Sequence, residues 1–224
     1  MTRTVDHPLI ARQRDAAAGI FPEYSRTVEL VGPLPGPCDA VAFLPGHTVV
    51  AADVDQAWLD ENTAYQQSHS PADRSTGLGL GLASLRSRLG NPPMYASVLT
   101  AAPHRAKMLR ARVERRESGA DPGWAAYRSE IETYHYDGGP VQGRIDLGRG
   151  PGGRRDVYVQ IDSSPEGGGA PSRDLLAAAL TLISPGEQLF GSAPVHDTRA
   201  LRTMLSGGFT PVCTEVLFLT RPQR

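Results

Sequence analysis

RRDVYVQIDSSPEGGGAPSRDLLAAALTLI, residues 154 to 183, decides how this chain reads. Residues 154–162 have the composition and length of a strand, and Glu166-Gly167-Gly168-Gly169-Ala170 is a glycine-rich turn. Residues 172–183 then place Leu175, Leu176, Ala179, Leu182 and Ile183 along one helical face. A strand, a glycine turn and a helix in that order make an anion cradle, because the turn exposes backbone N–H groups and the helix adds the positive end of its dipole. Phosphate is the ligand class that suits such a unit.

Working outward, residues 188–193 read as a strand, 197–205 as a helix buried through Ala200, Leu201, Met204 and Leu205, and 214–220 as a closing strand. Upstream, strands over 130–136 and 141–148 flank Asp137-Gly138-Gly139-Pro140, a strong hairpin signal. Residues 94–101 read as a strand. Residues 104–116 read as a helix whose cations Lys107, Arg110, Arg112, Arg115 and Arg116 form a solvated face opposite Met108, Leu109 and Val113.

The first part of the chain offers a short helix within residues 2–24, a strand at 27–31 and a hairpin of 39–44 with 47–53 around Pro45-Gly46. Three prolines in Gly32-Pro33-Leu34-Pro35-Gly36-Pro37 make a rigid connection. A helix is expected over 55–62, a polar exposed connection over 65–76 and a second helix over 78–89, ended by Asn91-Pro92-Pro93. The polar connection is the best candidate for a lobe boundary.

Composition narrows the function classes. The chain has 224 residues, 40% hydrophobic and 21% charged, which suits a globular protein able to bury a core without disulfides. No apolar run approaches the roughly 20 residues of a bilayer helix, and the polar start lacks the apolar core of a signal peptide, so no membrane association and a cytoplasmic address are expected. A formal net charge of -1 gives no general attraction to nucleic acid. Cys38 and Cys213 have no neighbours at metal-ligand spacing, so no metal is expected. Lys107 is the only lysine beside many arginines, a bias of the kind that GC-rich actinobacterial genomes produce.

Val195-His196-Asp197-Thr198-Arg199-Ala200-Leu201-Arg202-Thr203-Met204-Leu205-Ser206-Gly207-Gly208-Phe209 carries a resemblance. It is similar to the GNAT acyltransferase pattern of an Asn, an Ala, a Tyr and then Gly-Phe on one helix, with Asp197, Ala200, Met204 and Gly208-Phe209 in the matching places. By element order the resemblance extends from Met94 onward. It implies an α/β (α+β) fold with a mixed, mostly antiparallel sheet flanked by helices, residues 91–224 forming the core and residues 1–90 an N-terminal accessory lobe. It further implies acetyl-CoA or another acyl-CoA as cofactor and a small amine as acceptor, which attacks the thioester directly. On this reading the backbone of the strand ending at Ile161 holds the pantetheine arm. Gly167, Gly168, Gly169 and Ser172 line the phosphates, and Glu166 and Asp197 belong to the same cofactor site.

Three residues depart from the family's pattern. Glu166 stands where a cation or amide donor normally meets the pyrophosphate, Pro171 removes one N–H, and Met204 replaces the tyrosine that often serves as general acid. A proton for the leaving thiolate would then come from water or His196, and a base for the amine from the face of Glu130, Glu132, Tyr134 and Tyr136 on one strand, with Glu132 the candidate because alternation puts Glu130 beside it to raise one pKa, or from Asp162 at another strand's end. The alternative these departures support is a GNAT-fold protein that has lost CoA binding and works as a binding or scaffold subunit, or in CoA-independent chemistry. Arg74-Ser75-Thr76-Gly77-Leu78-Gly79 fits the family's loop pattern better than residues 166–171 do, which raises a tandem arrangement with an eroded first unit. The closing strand pairs either within the chain or across a homodimer.

Overall fold

The computed structural model describes residues 7–24, 28–69, 81–106, 111–116, 120–163 and 169–220. Among them are ten strands, most of them antiparallel to their neighbours, and six α-helices, so the mixed, mostly antiparallel α/β class expected from the sequence is the class observed. The chain divides into two compact units, Met1–Ser97 with Cys213–Arg224, and Val98–Val212.

The first unit begins with α1 (Pro8–Ala17), whose proline at the first helical position needs no N–H there. Strands β1 (Val28–Leu30), β2 (Asp39–Leu44) and β3 (His47–Ala51) follow. The β2–β3 hairpin closes where Leu44 faces His47, with Pro45 and Gly46 between them, as expected. β1 runs parallel to β3, while β10 (Thr210–Phe218) lies antiparallel to β2 from Thr214 opposite Phe43 to Phe218 opposite Asp39. The closing strand therefore pairs within the chain.

Helices α2 (Gln56–His69) and α3 (Leu82–Arg88) follow β3, and Leu59 and Leu85 pack with Val41, Val50, Val216 and Phe218. α1 contributes Leu9 and Ile10 to the interior, and its buried Gln13 donates to Glu215 Oε1 at 2.7 Å. The connection expected over 65–76 is corrected in its first part, because α2 continues to His69. Its remainder, with the loop Arg74 to Gly79, lies outside the described residues.

The second unit takes in most of β4 (Met94–Pro103), then β5 (Arg112–Arg116), α4 (Pro122–Ala125), β6 (Ser129–Asp137), β7 (Gln142–Arg149), β8 (Arg155–Ser163), α5 (Gly169–Ala179), β9 (Gln188–Pro194) and α6 (Thr198–Ser206). Its strands are hydrogen-bonded in the order β4-β9-β8-β7-β6-β5. From β5 to β8 neighbours are antiparallel, whereas β8 and β9 are parallel. α5 and α6 cover one face, where Leu175, Leu176 and Met204 pack against Tyr136, Ile145, Leu147 and Val157.

The helix expected over 104–116 is overturned where it is described. Residues 112–116 form β5, with Val113 opposite Tyr136 and Arg115 opposite Tyr134. Val113 alone of the five packs against the core, while Glu114 forms ion pairs with Arg112 and Arg116, so the segment reads better as a charged edge strand than as an amphipathic helix.

Candidate functional site

The parallel ladder of β8 and β9 is short. Among the described residues it joins only Asp156 with Phe190 and Val157 with Gly191, although β8 runs on to Ser163 and β9 to Pro194. β8 stays paired with β7 as far as Ser163, and β9 is held on its other side by β4, where the Thr100 hydroxyl donates to the Gly191 carbonyl at 2.9 Å. The two strands thus expose facing edges over residues 158–163 and 192–194, and backbone donors and acceptors on such edges suit an extended amide-bearing chain.

Each sequence-derived candidate can be placed against this opening. Ile161 lies on β8 past the ladder, half-buried and opposite Gly143. Gly169 opens α5, so its N–H belongs to those a helix leaves without internal partners, whereas Ser172 is the fourth residue of α5, where the helical hydrogen bonds begin. Pro171 lies in the first turn, where it disrupts no helical hydrogen bond but takes away one N–H that an anion would use. Glu166, Gly167 and Gly168 lie outside the described residues.

Past the other edge, β9 ends at Pro194 and a tight turn carries the exposed His196. Asp197 caps α6, its Oδ1 accepting from Ala200 N–H at 2.9 Å. Met204 is 9% exposed, and its sulfur lies 2.9 Å from the position a Cβ on Gly191 would occupy, so its thioether fills the space above that glycine. Residue 204 is core packing.

Glu132 stands apart from these residues. It forms ion pairs with Arg115 at 3.3 Å and with Arg155, while Glu130 reaches Arg149 at 3.7 Å. The like-charge coupling expected of the two glutamates is corrected by the backbone: β6 bulges between Ser129 and Glu132, with Glu130 at φ 49°, and the simple alternation is lost. Each glutamate has its own cations.

A buried ionic cluster at the closed end of the opening was not read from the sequence. Asp156 takes the Arg128 guanidinium on Oδ2, at 3.0 Å from Nε and 2.8 Å from a terminal nitrogen, and Arg154 Nε on Oδ1 at 2.9 Å. The rings of Trp124 and Tyr127 lie 4.4 and 4.3 Å from the Arg128 guanidinium carbon, and Phe190 is 5.9 Å from that of Arg154. Gly150 leaves room for the Asp156 carboxylate, since a Cβ there would strike it. Burial pushes the Tyr127 phenol above its ordinary value, against the pull of Arg128, and keeps it neutral.

Beside the cluster, Tyr158 is the first residue of β8 past the ladder. Burial raises its phenol, Asp121 adds to the rise and Arg144 opposes it. Among the described residues no cluster of His, Cys, Asp and Glu is placed to hold a metal ion, and no helix is long and apolar enough to cross a membrane.

Comparison with protein-family models finds none that matches, and comparison with curated proteins finds none either. Among solved structures the chain is similar to a GCN5-related N-acetyltransferase from Kribbella flavida, with 13% identity and a TM-score of 0.39 over 97% of this chain and 96% of that one, a likeness too slight to carry an argument.

Proposed function

We propose that the protein is an acyl-CoA-dependent N-acyltransferase, using acetyl-CoA or a related thioester and acting on a small amine. The observation that carries this reading is the two-residue ladder between β8 and β9, followed by open edges and by a helix that starts soon after β8 ends. The pantetheine arm of CoA carries two amides and matches the open backbone edges, while the first turn of α5 offers N–H groups and a positive dipole to the pyrophosphate. The Gly-Phe pattern of residues 208–209 supports the same family.

The chemistry is amine attack on the thioester carbonyl. The N–C bond forms, the C–S bond breaks, the amine gives up a proton and the thiolate takes one. With Met204 in the core, the exposed His196 beyond β9 or water supplies the thiolate's proton. The strand edges position the thioester, and orientation of the two reactants contributes most of the acceleration.

Calorimetric titration of the purified chain with acetyl-CoA tests the reading, with Glu166→Arg measured alongside. Micromolar binding by the native chain is expected. Binding by the variant alone favours the rival in which the loop has been switched off, and binding by neither overturns the proposal.

A further inference from the structure

The sheet face opposite α5 carries a built polar site. On β7, Asp146 lies across from Thr133 and Tyr158, and Arg144 across from His135 and Gln160, whereas the alternating Ile145 and Leu147 belong to the core under α5. Asp146 is fully buried, its Oδ1 accepting the Thr133 hydroxyl at 2.8 Å and its Oδ2 standing 3.0 Å from Arg144 Nε. A terminal nitrogen of Arg144 donates to Gln160 Oε1 at 3.0 Å, and the guanidinium carbon lies 6.0 Å from the Tyr158 ring centroid. Tyr158 in turn rests against Trp124, with ring centroids 6.0 Å apart. The guanidinium is thus ion-paired beside its Nε, without a hydrogen bond from that atom among the described residues, and is held at one terminal nitrogen and beside a ring, while the side chain stays 22% exposed.

That arrangement fixes an arginine in advance of any ligand, so little rotamer entropy remains to be lost on binding. Its position is set by the strands: Gln160 and Tyr158 lie on β8 where β8 has parted from β9, and Arg144 is one strand further, about 4.8 Å away. An amine approaching a thioester in the opening from this face meets Tyr158, Gln160 and Arg144. A planar fork of N–H donors pairs with a carboxylate through two parallel hydrogen bonds.

We infer that Arg144 binds a carboxylate on the acceptor, which makes the substrate class an amine that also bears a carboxylate, such as an amino acid; the assignment of the ligand as acceptor rests on the acyltransferase reading. Asp146 and Gln160 are positioning residues that hold the fork. The site itself is read from this unit's own contacts and binds its ligand whether or not CoA is present.

The test is calorimetry on the full chain with matched pairs: glycine and glycinamide, β-alanine and β-alaninamide, L-phenylalanine and L-phenylalaninamide, with O-phosphoethanolamine as the phosphate arm. At least one acid is expected to bind tenfold or more tightly than its amide, the gap closing in Arg144→Gln and persisting in Arg202→Gln on the exposed side of α6. Because Arg144→Gln leaves Asp146 buried without its cation, the double variant Arg144→Gln/Asp146→Asn, neutral at both positions, is measured as well, with thermal melting to establish that it folds. Equal binding of acid and amide, no binding of any member, tighter binding of the phosphate ester, or a preference that survives both variants overturns the inference. Acetyl-CoA binding in the same samples separates the claims: its presence without an acid preference removes the Arg144 assignment alone, and an acid preference without it removes the acyltransferase reading alone.

Discussion

Asp156 is the residue whose loss the second unit should feel most. Arg128, Arg154 and Asp156 are 3%, 0% and 0% exposed, so deleting the carboxylate leaves two guanidinium groups in a place where water does not reach. A buried pair broken by removing one partner costs about 3–5 kcal/mol. Asp156→Ala is expected to lose that much in urea unfolding, and a loss below about 1 kcal/mol would mean that the arginines find other partners. The sequence did not single out these residues because nearly all its cations are arginines, and no local pattern separates the buried Arg128 and Arg154 from the exposed Arg112 or Arg115. The same holds for Arg144 and Asp146, whose meeting with Thr133 and Gln160 depends on register between strands. Met204 is the opposite case, since helical periodicity alone put it on the buried face of α6.

Elements marked by their own local chemistry were legible. The Gly-Phe after α6 shows why: Gly207 is the C-cap, Gly208 adopts φ 88°, Gly208 N–H bonds to Leu205 O and Phe209 N–H to Met204 O, each at 3.1 Å. That is a Schellman ending, with the buried Phe209 as its apolar partner, and it accounts for the residue pair by backbone geometry. A left-handed conformation costs a non-glycine residue roughly 1–2 kcal/mol, and a Cβ at 208 would also displace the Arg105 guanidinium. Gly208→Ala is therefore expected to lower stability by at least about 1 kcal/mol in chemical denaturation, and an unchanged midpoint would contradict the cap assignment. The segment 112–116 was misread for the complementary reason. Its strand identity comes from pairing with β6, and its spacing of Val113 among charges is compatible with either period. The bulge at Glu130 likewise has no signature in a stretch of ordinary strand residues.

At the scale of the molecule, periodicity named most of the strands but said little about which partner each would choose. β10 pairs with β2, far away along the chain, and β4 lies next to β9; neither neighbour is implied by the side-chain pattern of the strand itself. The opening between β8 and β9 belongs to this class of feature, because a ladder that stops after Val157 and Gly191 leaves no trace in a strand that continues to Ser163. Its role is tested most directly by hydrogen–deuterium exchange of the full chain with and without saturating acetyl-CoA. Slowed exchange is expected in peptides covering 158–163, 192–194 and the first turn of α5, where backbone groups facing the opening become bonded. Binding that leaves those peptides unchanged and protects residues 74–79 instead would contradict it and move the cofactor site to the loop in the first half of the chain.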